Sequence, residues 1–132
     1  MSARVNIIQK LYSKKIDKEA KIIFEKNRYK TLIKNVVNGV LERQELIDEK
    51  INSFLNNDFK DNKSDKIVKI IIEAAVYELI FQHNTPTKVI ISEYVKTANL
   101  LLNNSQVHYV NAILDKISKN LRTNDNWKWN YK

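Results

Sequence analysis

The chain has 132 residues, no cysteine, one glycine, one proline and a formal net charge of +8. That length is one domain able to bury a core of its own, and the lack of cysteine excludes disulfides, thiolate nucleophiles and cysteine-ligated metals. No apolar run approaches the ~20 residues of a membrane span, and the N-terminus is recharged too soon for a signal peptide, so a cytoplasmic protein with no membrane partner is expected.

With only Gly39 and Pro86 to punctuate the backbone, an all-α fold is expected. Val5, Ile8, Leu11 and Tyr12 fall at helical spacing over residues 4–15. Asp17 suits the N-cap of a short second helix through Ile22, Ile23 and Phe24. A long amphipathic helix follows from Tyr29 to Leu55, in which Leu32, Ile33, Val36, Val37, Val40, Ile47 and Ile51 recur in steps of three and four. Gly39 sits inside it at a cost of about 0.5–1 kcal/mol relative to Ala, which close packing against a neighbour would explain.

Residues 56–65 are polar and separate two halves, expected as subdomains of about 1–57 and 64–122 within one domain, 1–122. The helix at about 65–82 is apolar almost all round and reads as the central core element, with Lys69 and Glu73 marking its one wet edge. Thr85 and Pro86 predict a helix start, with Thr as the cap and Pro in the first turn. This helix should bury Ile90, Ile91, Val95, Ala98, Leu101 and Leu102. Ser105 is the expected cap of the last helix, which should bury Val107, Val110, Ile113, Leu114, Ile117 and Leu121. The tail, 123–132, alternates Trp127, Trp129 and Tyr131 with polar residues and reads as flexible, with stacking on RNA or docking on a partner as alternatives.

The charge is uneven. Residues 1–34 carry ten Lys or Arg against three acids, a net +7, and the remainder carries +1. A basic end on a near-neutral body suggests a polyanion-binding face. Composition is the competing account, since 19 Lys stand against 4 Arg, but bias alone would spread lysine evenly.

Enzyme constellations are not apparent, and no cofactor is expected. His83 and His108 lack metal-ligand spacing; His83 reads as a helix-end dipole partner and His108 as a solvent-facing residue. Tyr12 is in phase with Val5 and Ile8, so core burial and base stacking are both open, and a half-buried tyrosine can do both. Asn111 lies in phase with Val107, Val110 and Leu114; it is expected to be buried or half-buried, tying the last helix to a neighbouring backbone or shaping the loop near Tyr109.

The segment from Pro86 to Asp115 follows the pattern P-x-K-V-x-I-N-E-x-V-x-x-A-K, then F/Y-V-N-G-x-L-D. Matches fall at Pro86, Lys88, Val89, Ile91, Glu93, Val95, Ala98, Tyr109, Val110, Asn111, Leu114 and Asp115. Gln9 to Tyr12 fits a first-helix ending Q-x-L-Y, Val36 to Asp48 fits a third-helix segment, and Ala75 to Leu79 fits A-x-Y-E-L. In order and spacing these resemble the NusB family of transcription antitermination factors from Arg4 to about Ile117. The chain departs from that pattern in keeping only Arg4 of an arginine-rich start, in Glu73 for an arginine, and in Ala112 for a glycine.

The resemblance implies two three-helix bundles packed together with an extra C-terminal helix, and recognition without catalysis. It implies binding of the single-stranded boxA element of nascent ribosomal RNA together with NusE, a small-subunit ribosomal protein, within the transcription elongation complex. Arg4, Lys10, Tyr12, Ser105, Gln106 and Tyr109 are the residues expected to meet RNA. Glu78 and Glu93, which follow the pattern, are expected to hold helix ends or polar junctions. A monomer and a homodimer are both open. Two other readings are weighed: a divergent interaction module with weak or no specific RNA binding, and the NusB-like domain of an RNA cytosine methyltransferase. The second is set aside because the chain has no cysteine and no catalytic portion.

Overall fold

The structure, a computed structural model, describes residues 2–55 and 62–122. The boundary expected between subdomains and the expectations for the aromatic tail lie outside these described residues. Among the described residues six helices follow one another: α1 (Ala3–Ile16), α2 (Lys30–Glu42), α3 (Gln44–Ile51), α4 (Lys63–Phe81), α5 (Thr87–Leu101) and α6 (Asn104–Leu121). No strand occurs among the described residues, so the fold is all-α.

The centre is α4, which packs against each of the other five helices. Its sequence dictates this place. Ile67, Val68, Ile70, Ile71, Ile72, Ala74, Ala75, Val76 and Leu79 are buried on every side of it, and a fully buried aliphatic side chain of the Val/Leu/Ile class contributes about 1.5–3 kcal/mol. Helix α1 brings Ile7, Ile8 and Leu11 to this core, α2 brings Ile33, Val36, Val37 and Val40, and α3 brings Ile47 and Ile51. Ile90, Tyr94 and Ala98 of α5 and Val110, Ile113, Leu114 and Ile117 of α6 complete it.

Gly39 is explained by contact. A Cβ at this position would fall inside the ring of Tyr77, so α2 and α4 approach each other as they do only because the side chain is missing. The long expected helix is in fact two. At Arg43 the backbone leaves the helical region (φ −116°, ψ 29°), and the Arg43 guanidinium lies 4.6 Å over the ring of Phe81.

No helix forms over 17–24. Asp17 closes α1 as its C-cap rather than opening a second helix, with its N–H donated to the Ser13 carbonyl. Beyond it, half-buried Ala20, Ile22 and Phe24 alternate with exposed Lys21, Ile23 and Glu25, which is the period of extended chain. The Lys14 amine donates to the Ala20 carbonyl at 2.8 Å, and the Lys10 amine to the Ile23 carbonyl at 2.8 Å. Two lysines of α1 thus supply bonds that a helix would have made with itself.

Caps set the remaining starts. The Asn62 side chain accepts from the Asp65 N–H to open α4. Pro86 itself is the N-cap of α5, with extended ψ of 145°, so it stands one position outside the turn assigned to it from sequence. Asn103, not Ser105, caps α6 through a reciprocal capping box with Gln106. Arg122, just past α6, donates to the carbonyls of Leu79, Thr85 and Gln82 at 2.7–2.9 Å, and so ties the end of α6 to the end of α4.

Candidate nucleic-acid interface

Tyr12 lies near the end of α1, half-buried and packed against the core. The Lys63 amine sits 5.6 Å over its ring, so core contact and an accessible polar surround coexist at this tyrosine. Lys63 opens α4. The next residue, Ser64, accepts a hydrogen bond from the Gln106 side chain at 2.6 Å, and Gln106 belongs to the first turn of α6. The N-termini of α4 and α6 are therefore neighbours, with the end of α1 beside them. Each helix start carries about half a positive charge from its aligned peptide dipoles, and Lys63 adds a whole one. Ser105 is exposed in this first turn, and half-buried Tyr109 follows one turn later. Four residues expected to meet RNA, Tyr12, Ser105, Gln106 and Tyr109, thus belong to the same cluster of helix ends.

Gln106 is held in place. Its side-chain oxygen accepts from the Asn103 N–H at 3.2 Å, its own N–H donates to the Asn103 side chain at 2.9 Å, and its amide nitrogen reaches Ser64. Such a residue fixes the shape of the end and presents little free hydrogen-bonding capacity. Lys63 and Ser64 carry no signal in the sequence. They sit at the edge of a polar stretch, and only the approach of α1 and α6 gives them a site.

Arg4 and Lys10 are placed elsewhere. The Arg4 guanidinium points inward, grips Glu78 through two nitrogens at 2.7 and 3.2 Å, and lies 3.8 Å from Glu93. It also stacks 5.8 Å over the ring of Tyr94, whose hydroxyl donates to the same Glu78 carboxylate. Glu78 is fully buried. Burial alone would weaken the positive form of Arg4, but the paired Glu78 outweighs that and raises its pKa. Burial likewise drives the Tyr94 hydroxyl well above its ordinary value. Arg4, Glu78 and Tyr94 therefore join α1, α4 and α5, and the guanidinium is taken up by the Glu78 and Glu93 carboxylates. Glu78 and Glu93 do hold a polar junction, as the sequence pattern suggested. Lys10 is only two residues from Tyr12, about 200° around the helix, and its amine is taken up by Ile23 and Glu25.

Two further expectations are corrected. Glu73 is 2% exposed, and so is no wet edge. The Gln44 side chain, arriving from α3, covers it and donates to its carboxylate at 2.8 Å. Burial raises the Glu73 pKa, opposed by Lys15 and Lys69. Glu73 lies at the base of a cleft of about 500 Å³ rimmed by Lys14, Lys15 and Lys18. Asn111 is exposed rather than buried, since it faces a groove of about 570 Å³ between α5 and α6 in which Ile91 and Val95 are the apolar lining. His108 is exposed, as expected.

The family model described as NusB family matches residues 1–119. The transcription antitermination protein NusB of Rickettsia typhi is 34% identical over 116 residues, covering 86% of this chain and 73% of that protein. Its counterpart in Rickettsia bellii is 36% identical over 102 residues, covering 77% of this chain and 63% of the relative. That of Mesorhizobium japonicum is 36% identical over 87 residues, 66% of this chain and 56% of the relative. The chain thus spans between just over half and about three quarters of the length of these relatives. Among solved structures, NusB of T. maritima superposes with a TM-score of 0.75 at 21% identity, covering 89% of this chain and 88% of that one, which establishes the shared fold.

Proposed function

Because the chain belongs to the NusB family, we propose that it is a cytoplasmic transcription antitermination factor that binds boxA-type single-stranded RNA together with NusE, without catalysis. The observation that carries this reading is the junction of Tyr12, Lys63, Ser64 and Gln106, which sets an aromatic face and a lysine beside two positive helix ends. Cations hold phosphates and position a strand, while flat side chains stack on unpaired bases. Tyr12, Ser105 and Tyr109 are the contacts of this reading, and Gln106 shapes the surface, while Arg4 is held by Glu78 and Lys10 by the α1–α2 connector.

The test is fluorescence anisotropy with a short boxA-like RNA and a scrambled control, with and without NusE, across a salt series. Preference for boxA that strengthens with NusE is the expected result. Equal, weak and steeply salt-dependent binding to both RNAs would overturn it. That second outcome would favour a divergent interaction module, a reading supported by the inward placement of Arg4 and Lys10.

A further inference from the structure

Of the ten basic residues in the first 34 positions, Arg4, Lys10 and Lys14 are tied to internal acceptors. Lys18, Lys21, Lys26, Lys30 and Lys34 are different. All five are exposed, and none forms a hydrogen bond or ion pair with the described residues. They lie on the α1–α2 connector, 17–29, and the first turns of α2. The connector is not loose chain: Ile22 and Phe24 pack on the core, Lys10 and Lys14 hold its carbonyls, and Lys10 pairs with Glu25 while lying 5.7 Å over Phe24. Lys10 and Lys14 of α1 fix its backbone, and its own lysines face solvent.

Apolar and flat faces stand between these charges. Ile23 is 71% exposed and Tyr29 44% exposed, and the Arg28 guanidinium lies 5.1 Å over the Tyr29 ring. Unpartnered cations carried by a turn, a short extended stretch and a helix start, in excess over the exposed acids Asp17 and Glu19 and with an accessible aromatic among them, are features that take single-stranded nucleic acid irrespective of sequence. A surface already held in shape loses little conformational freedom on binding.

We propose that the connector and the start of α2 form a second, sequence-independent RNA surface, which holds the phosphates and unstacked bases of the strand flanking the element met by the Tyr12 end. This rests on the RNA reading given above. Lys10, which anchors the connector, and Tyr12 lie on nearly opposite sides of α1. A helix is only about 10–12 Å across with its side chains, so one strand reaches both surfaces by passing around it.

The experiment compares a short boxA-like RNA with the same RNA carrying uridine extensions on both sides, using the full chain. The variant is Lys18→Glu/Lys21→Glu/Lys26→Glu, with Lys18→Gln/Lys21→Gln/Lys26→Gln as a milder version should charge reversal disturb folding; helix content is followed by circular dichroism. The wild type is expected to bind the extended RNA more tightly and with a steeper salt dependence. Each variant should lose that increment while binding the short RNA as before, and its log–log salt slope should flatten by about 0.7 for every phosphate it no longer neutralises. No gain from the extensions in the wild type, or a gain that survives in both variants, would overturn the proposal. Extension-dependent binding that disappears in the variants, without boxA preference in the short RNA, would sink the antitermination reading and leave the connector surface standing.

Discussion

Replacing Arg4 by Met leaves the Glu78 carboxylate with no exposed surface and no counter-charge. Removing one partner of a buried ion pair costs about 3–5 kcal/mol, because the remaining charge stays desolvated. Two features put this case at the lower end. Arg4 retains 13% side-chain exposure, so water has a path to the site, and the Tyr94 hydroxyl still donates to Glu78. A loss of about 3 kcal/mol is therefore expected in urea-induced unfolding at neutral pH. The double variant Arg4→Met/Glu78→Gln removes the stranded charge and keeps an acceptor for Tyr94, so it should recover most of that loss. RNA binding, measured where Arg4→Met is still folded, should change little. A variant that loses less than about 1 kcal/mol of stability while its RNA affinity falls tenfold, about 1.4 kcal/mol, would refute the assignment of Arg4 to the interior.

Gly39→Ala gains up to about 1 kcal/mol of helix propensity but drives a methyl into the Tyr77 ring. Overpacking of this kind costs about 1–3 kcal/mol, so a lower melting temperature is expected, and the same substitution in a Tyr77→Ala background should instead stabilise. Glu73 has its pKa raised in the fold, so its contribution to stability is greatest below the unfolded carboxylate value and is lost as pH rises through the folded one. Glu73→Gln keeps an acceptor for Gln44; it should therefore be more stable than the wild type at neutral pH and lose that advantage in acid, as read by unfolding midpoints across a pH series. Tyr12→Ala should weaken RNA binding by about 1–3 kcal/mol if one base stacks there, and Tyr12→Phe, followed by anisotropy alongside it, should retain most of the affinity.

Where the structure follows the sequence and where it departs has local physical causes. Helix α4 was legible because its apolar residues leave no polar face, and Gly39 because a mid-helix glycine costs stability unless something approaches it closely. The identity of that neighbour, Tyr77, lies 38 positions away and has no local signal. Glu73 has the pattern of a solvated face, with Lys69 one turn before it, whereas Gln44 from another helix covers it. Ile22, Ile23 and Phe24 form a run too short to separate a helix from extended chain by periodicity, and the deciding bonds come from α1. The cap of α6 was available: of Asn103, Asn104 and Ser105, only Asn103 has a glutamine three residues on, the spacing of a capping box. The cluster of helix ends around Tyr12 was half legible. Its aromatic and its α6 residues carried a recognisable pattern, but Lys63 and Ser64 acquire their place only through packing.

The clamp that Arg122 makes on the end of α4 also bears on how the chain is completed during synthesis. A ribosome releases α4 before the residue that closes it, since Gln82 and Arg122 are 40 positions apart. Until Arg122 emerges, the carbonyls of Leu79, Gln82 and Thr85 must turn to water for the bonds that the guanidinium later donates. The turn between α4 and α5 therefore acquires its final bonding only once nearly the whole domain is outside the exit tunnel.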